Sequence, residues 1–377
     1  MPADLLTSPR CRPDDLGLPM PDDLHAVSAC LPLWQHNIGY EEGDPTVHSQ
    51  LKAAYPRFCF HPLVQQLCDR FLNRDQQKGL PFATRNCAER AIKYMRHAAN
   101  AAAQLVPFDG HSACGVAVGQ EDFVVLKQYW QHAGENVSSR VAEQILTGAN
   151  TGCSETMARS GIRDRVAAFQ RVEPTDVYLH TSGMAAIASA WRTLQAFRSG
   201  RTCQFGFPYV DTLKIQQRFP GATHDFFPVG SSDDLKTLEA QCGTQPPTAV
   251  ICEAPTNPLL VTPDLRRLRE LADRHDFLLV IDDTLTACGN LATTPLADIA
   301  VTSMTKYFSG YGNVLAGSLV VNPESRHAQT LRKLLDTDFE ETLSDVDAEV
   351  LANNSRDVVQ RVAKINSNAV ALAEMLR

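Results

Sequence analysis

From about residue 165 onward, the chain alternates short apolar runs with longer stretches whose apolar positions recur every three or four residues. Residues 177–180, 202–207, 249–253, 278–282, 299–303 and 315–321 are mostly apolar with few charges, the pattern of strands buried on both faces. Between the third and fourth runs, 263–275 reads as a helix. Thr262 offers a cap, Pro263 suits the first turn, and Leu265, Leu268, Leu271 and Ala272 share one face. This alternation predicts an α/β fold with a mostly parallel sheet covered by helices on both faces. Ligands of such sheets lie beyond the carboxyl ends of the strands, so chemistry is expected just after each run.

Ahead of residue 165 the pattern is mixed. Residues 1–24 are rich in Pro and Asp, lack periodicity and read as a flexible lead-in. Residues 88–103 read as a helix ending in the Ala-rich stretch 98–103. Near the far end, Val358, Val362, Ile365, Ala369 and Leu372 recur at helical spacing, an apolar face with little sequence left to cover it.

Composition narrows the class. A hydrophobic fraction of 44% allows a large core and is too high for a disordered chain. With 43 acidic against 35 basic residues, a net charge of −8 and no basic block, nothing points to nucleic acid or an anionic membrane. No apolar run approaches the ~18 residues of a membrane span, and the first residues lack the apolar segment of a signal peptide. We therefore expect a cytoplasmic protein. The 11 cysteines show no C-x-x-C spacing and no accompanying His cluster, so reduced, mostly buried thiols and no metal site are expected.

The strand ends carry the chemistry. After 177–180 comes Thr181-Ser182-Gly183-Met184, opening a helix to about residue 198; its free N–H groups and dipole suit a phosphate. After 249–253, Ala254-Pro255-Thr256-Asn257-Pro258 makes a rigid turn presenting Asn257. The run 278–282 closes on Asp282, a carboxylate that needs a cation or a protonated ring nitrogen. A metal held by Asp282 and Asp283 is the rival reading, but no further carboxylate nearby in sequence completes an oxygen shell. After 299–303, Lys306 follows Ser303 and Thr305, an ammonium flanked by hydroxyls at the end of a buried strand. A phosphate-ready helix start, a buried Asp and a hydroxyl-flanked Lys together make a pyridoxal phosphate site.

Thr181–Ile187, 253–258, 280–284 and 303–310 resemble the signature segments of the Cys/Met-metabolism pyridoxal-phosphate enzymes. Further upstream, His25-Ala26-Val27-Ser28, Leu31-Pro32-Leu33-Trp34, Gly39-Tyr40-Glu41-Glu42-Gly43 and Tyr55-Pro56-Arg57-Phe58 resemble the N-terminal extension of fungal cystathionine γ-synthases. The resemblance implies a type I pyridoxal-phosphate transferase-like fold. It divides the chain into an N-terminal extension (1–125), a cofactor-binding α/β domain with its leading arm (126–335) and an incomplete C-terminal domain (336–377). Lys306 matches the Schiff-base lysine and Asp282 the partner of the pyridinium nitrogen. Gly183 and Met184 match the phosphate-binding amides, and Ser303 and Thr305 the phosphate-binding hydroxyls. Tyr209 matches the tyrosine stacked on the cofactor, Arg140 an arginine reaching the neighbouring subunit's phosphate, and Asn257 an asparagine beside cofactor and substrate.

Three departures stand out. Ser138 replaces a tyrosine of the family's Tyr-Ser-Arg, Tyr311 replaces a histidine, and the chain ends before the arginine that grips the substrate carboxylate. The resemblance implies γ-replacement on an acyl-homoserine by cysteine in a homodimer or homotetramer. The alternatives are another nucleophile, or a catalytically impaired cofactor-binding member that lacks the carboxylate clamp.

Overall fold

The computed structural model describes residues 7–53, 60–72, 76–149, 156–221, 223–287 and 289–377. The motif Tyr55-Pro56-Arg57-Phe58 lies outside the described residues.

Helices α1 (Trp34–Glu42), α2 (Pro45–His48) and α3 (Pro62–Phe71) precede a small antiparallel sheet of β1 (Gln77–Phe82), β2 (Ala103–Pro107) and β3 (Cys114–Gly119), with β3 central. Helices α4 (Arg85–Ala99) and α5 (Phe123–Ala133) pack on that sheet. Thr84 caps α4 by accepting from the Cys87 N–H at 3.2 Å. Against the expectation for 88–103, α4 stops at Ala99. Asn100 takes the left-handed conformation (φ 51°), and Ala103 opens β2 instead. Pairing of β2 with β3 overrides the helix propensity of the Ala-rich run.

The lead-in is ordered rather than flexible over its described part. The Gly17 N–H donates to Cys30 O, Met20 N–H to Ser28 O and Cys30 N–H to Leu18 O, all within 2.9 Å. Val27 N–H then donates to Gly312 O at 2.9 Å, and Asn313 Nδ2 to the Asp23 carboxylate at 3.0 Å. Folding back onto 312–313 satisfies backbone groups that a solvated tail would leave to water.

After α6 (Ser139–Thr147) and α7 (Met157–Gln170) comes the main sheet. Its elements run β4 (Val177–His180), α8 (Gly183–Phe197), β5 (Arg201–Phe205), α9 (Val210–Arg218), β6 (Thr223–Phe227), α10 (Ser232–Cys242), β7 (Ala249–Glu253), α11 (Leu265–His275), β8 (Leu278–Asp282), β9 (Ile299–Ser303) and β10 (Gly317–Val321). Helices α12 (Ala328–Asp338), α13 (Asp345–Asn354) and α14 (Val358–Met375) follow. The seven strands lie in the order β4-β10-β9-β8-β7-β5-β6, parallel except for β10, which runs against both neighbours. Alternate strand residues face opposite ways and both sets are buried. Ile251, Val280 and Val301 join the layer of α8 and α12, whereas Val250, Cys252, Leu279 and Ile281 meet α10 and α11.

Some boundaries differ from the sequence reading. The strand expected at 202–207 ends at Phe205, and that at 315–321 begins at Gly317. The helix expected from Pro263 begins at Leu265, because Asp264 rather than Thr262 caps it, accepting from Arg267 N–H at 3.0 Å. On α14, Val358 and Val362 are buried beside Ala287, Tyr307 and Phe169, while Ile365, Val370 and Leu372 are exposed.

An ion cluster centred on the buried Glu135 joins the N-terminal layer to the main sheet. Glu135 receives Arg90 Nη2 at 2.6 Å and Arg192 Nη1 at 3.0 Å, and Arg192 also meets Asp338 at 2.7 Å. Among the described residues no helix is long and apolar enough to cross a membrane. The described cysteines are free thiols, all buried except Cys11.

Candidate active site

The strand ends converge on one cavity of about 570 Å3. Of the residues singled out from sequence, Gly183, Met184, Tyr209, Asn257, Asp282 and Ser303 line it, together with Thr305 and Lys306. Arg140 does not. Its guanidinium donates to Asn313 O at 2.7 Å and pairs with Asp347 at 3.3 Å, one residue away from the cavity-lining Gly312.

One wall is the start of α8. Ser182 caps the helix, its Oγ accepting from Ala185 N–H at 3.0 Å and donating to Gly134 O at 2.7 Å. The first-turn amides of α8 then lack intrahelical acceptors and bring the positive end of the dipole to the cavity. Gly183 lets this turn touch β9, since a Cβ there would stand 2.7 Å from Ser303 Cβ. Ser303 Oγ is buried with no protein partner, an orphan donor facing the same wall. The Thr305 hydroxyl is instead engaged with Ala316, accepting its N–H at 3.0 Å. Lys306 sits in the turn that follows, held by Gly310 N–H to Lys306 O at 2.7 Å, with its side chain exposed at the cavity.

The floor is acidic. Asp282 is buried and accepts from Thr284 N–H at 3.0 Å and Thr284 Oγ1 at 2.7 Å. Burial pushes its carboxyl above the usual range, with the Thr284 bonds opposing. Its neighbour Glu253 is pushed up by burial first and by the Asp282 charge second. Two buried acids side by side are stable only when one keeps a proton or a cation stands beside them. Asp283, the other half of the metal reading, turns away: its oxygens accept from Thr302 Oγ1 at 2.5 Å, Thr293 Oγ1 at 2.6 Å and Gln170 Nε2 at 2.5 Å. Among the described residues no group of three or more His, Cys, Asp or Glu stands close enough to hold a metal ion.

Sequence reasoning passed over Glu253 and Arg361, both of which line the cavity. Glu253 carries the same signal as Asp282, a carboxylate closing an apolar strand. Arg361 comes from α14, far along the chain, and nothing local announces it.

The orphan Ser303 hydroxyl and the amides of α8 fit a phosphate, Asp282 fits a protonated ring nitrogen, and Lys306 supplies an amine beside both. An α/β sheet with this constellation at its strand ends is a pyridoxal-phosphate-type site. Comparison with known proteins agrees. The family model "Cys/Met metabolism PLP-dependent enzyme" matches residues 138–377, and "Fungal trans-sulfuration enzyme, N-terminal domain" matches 61–138. The chain belongs to the Cys/Met metabolism PLP-dependent enzyme family, whose cofactor is pyridoxal phosphate.

Cystathionine gamma-synthase of Neurospora crassa is 29% identical over 97% of this chain and 80% of its own length. The cystathionine gamma-synthase-like protein ankD of Aspergillus thermomutatus is 32% identical over 96% of this chain and 74% of its own. A protein of Aspergillus violaceofuscus named alanine racemase ungC is 30% identical over 97% and 76%.

Proposed function

We propose that the protein catalyses γ-replacement on an acyl-homoserine, with cysteine as nucleophile and cystathionine as product. The observation that carries this reading is the convergence of Lys306, Asp282, Tyr209 and the α8–Ser303 wall on one cavity. Similarity over 97% of this chain, and 80% of the relative, to a cystathionine gamma-synthase supports it. Bound pyridoxal phosphate supplies an electron sink next to the substrate amino group. Ser303 Oγ and the Gly183 and Met184 amides would hold the phosphate. Asp282 would hold positive charge at the ring nitrogen, with Tyr209 beside the ring. Lys306 takes and returns protons at the substrate Cα and Cβ. The acyl group leaves Cγ as a carboxylate, the cysteine sulfur bonds to Cγ, and the thiol proton is released. Arg140 completes the phosphate site of a neighbouring subunit in a homo-oligomer, with residues 1–125 as a fungal-type extension.

Cystathionine formation from an O-acyl-homoserine and cysteine tests the reaction, and borohydride trapping of the cofactor on Lys306 tests the site. A Lys306→Ala protein that kept the trapped adduct would remove the assignment. A second reading, proton exchange at Cα without loss of a γ-group, draws on the racemase-named relative. Conversion of L-alanine to its D form, without cystathionine formation, would favour it.

A further inference from the structure

Glu253 closes β7 at the level where Asp282 closes β8, the two being paired across the parallel strands. Only 5% of Glu253 is exposed, and both residues line the cavity. The two oxygens of Glu253 serve different loops. Oε1 accepts from the Tyr209 N–H at the mouth of α9, and Oε2 accepts from the Asn257 N–H at 3.1 Å in the turn after β7. Those loops also pack together, since a Cβ at Gly206 would stand 3.2 Å from Thr256 Cγ2. From outside, the Tyr209 loop is held by Asp211, which meets His132 Nδ1 at 2.9 Å and Gln131 Nε2 at 3.0 Å.

We infer that Glu253 is a positioning residue: its carboxylate fastens the loops carrying Tyr209 and Asn257 to the cavity floor and sets where those two side chains meet cofactor and substrate. A carboxylate is suited to this role because each oxygen accepts independently, and charge strengthens both bonds. An amide has one accepting oxygen, and its NH2 would face the second N–H. Placing a buried carboxylate next to Asp282 is unfavourable unless hydrogen bonds and a nearby cation compensate it, and the Tyr209 and Asn257 N–H groups supply the first. A cation paired with Asp282 relieves the repulsion, so loading of the site and fastening of the loops reinforce each other. The inference rests on reading this cavity as the cofactor site.

The test compares wild-type, Glu253→Gln and Glu253→Ala proteins, each loaded with pyridoxal phosphate. Backbone hydrogen exchange of peptides covering 206–212 and 255–260 should speed up in the order wild type, Gln, Ala. The visible circular dichroism of the bound cofactor should weaken in the same order, and KM should rise more than kcat falls. The thermal midpoint of the cofactor-free Glu253→Gln protein should stay near that of wild type, because the amide keeps one of the two hydrogen bonds and carries no charge beside Asp282. Unchanged exchange and dichroism in Glu253→Ala would overturn the inference. So would variants whose only defect is a lowered midpoint, which marks a merely structural residue. If the wild-type protein itself forms no Lys306 adduct, the cofactor-site reading falls and takes the inference with it.

Discussion

Replacing Gly183 by Ala probes the contact between α8 and Ser303 that forms one wall of the cavity. The added Cβ would lie 2.7 Å from Ser303 Cβ and 3.0 Å from Ser303 Cα. Ordinary carbon contacts lie at about 3.5–4.0 Å, so the wall must open by roughly 1 Å. Ser303 cannot rotate out of the way, because the atoms met are its Cα and Cβ rather than the end of a flexible chain. Its strand is clamped by Thr284 Oγ1, which accepts the Ser303 N–H at 2.8 Å. Overpacking of this kind costs ~1–3 kcal/mol. Part of that is offset in the folded protein by the helix preference of Ala over Gly, ~1 kcal/mol at an interior position and less in the first turn. Stability should therefore fall little, while the cradle loses its geometry. If the whole cost appears on cofactor binding, affinity drops by about 5- to 150-fold.

Cofactor titration monitored by tryptophan fluorescence, beside a thermal melt of the cofactor-free protein, separates the two effects. Adding Ser303→Gly removes the opposing Cβ, so the double variant should bind better than the sum of its single losses predicts. Native affinity in Gly183→Ala, or strict additivity in the double variant, would refute the argument that this contact shapes the site.

Other outcomes follow from the same geometry. Asp282→Asn should keep the cofactor but lose ~10²-fold or more in turnover, as when a preorganised electrostatic partner is removed, measured as cystathionine formed per bound cofactor. Mixing Arg140→Ala with Lys306→Ala subunits should restore activity above that of either alone if Arg140 serves a neighbouring site; a fully active monomer would contradict this. His180 is buried, and burial first, then Arg192 and Arg90, lower its pKa to about 3. The fold therefore refuses a proton that the unfolded chain accepts near pH 6.5, and stability should fall as pH drops below 6.5, by up to ~1.4 kcal/mol per pH unit until about pH 3. Raised carboxyls such as Asp282 and Glu253 act in the opposite sense, since protonation relieves them. The check is therefore the difference in denaturation midpoint between wild type and His180→Phe at pH 7 and pH 5, which should narrow at pH 5.

The strands β4, β7, β8 and β9 were legible residue for residue, because a parallel strand buried on both faces must be an unbroken apolar run, and the polar residue that ends it is conspicuous. That is why Asp282, Ser303 and Lys306 could be named from order alone. The start of α8 was legible only in combination: a Ser-Gly turn before a helix is an ordinary cap, and it gained meaning from the Asp and Lys at the neighbouring strand ends. The N-terminal layer was not legible, because its segments are short and gain their order from partners distant in sequence. Residues 17–30 are ordered by a hairpin-like return and by Gly312, and Ala103 becomes strand only because β3 lies beside it. The acidic pair belongs to the same class. Each member closes an apolar run, but that Glu253 and Asp282 stand side by side, and that Glu253 grips the Tyr209 loop from another strand, depends on sheet order and register. Arg361 reaches the cavity from the last helix for the same reason. Local pattern specifies which groups a strand presents, whereas the energy of burying two charges, and the loops they hold, exists only once separate strands are packed at one level.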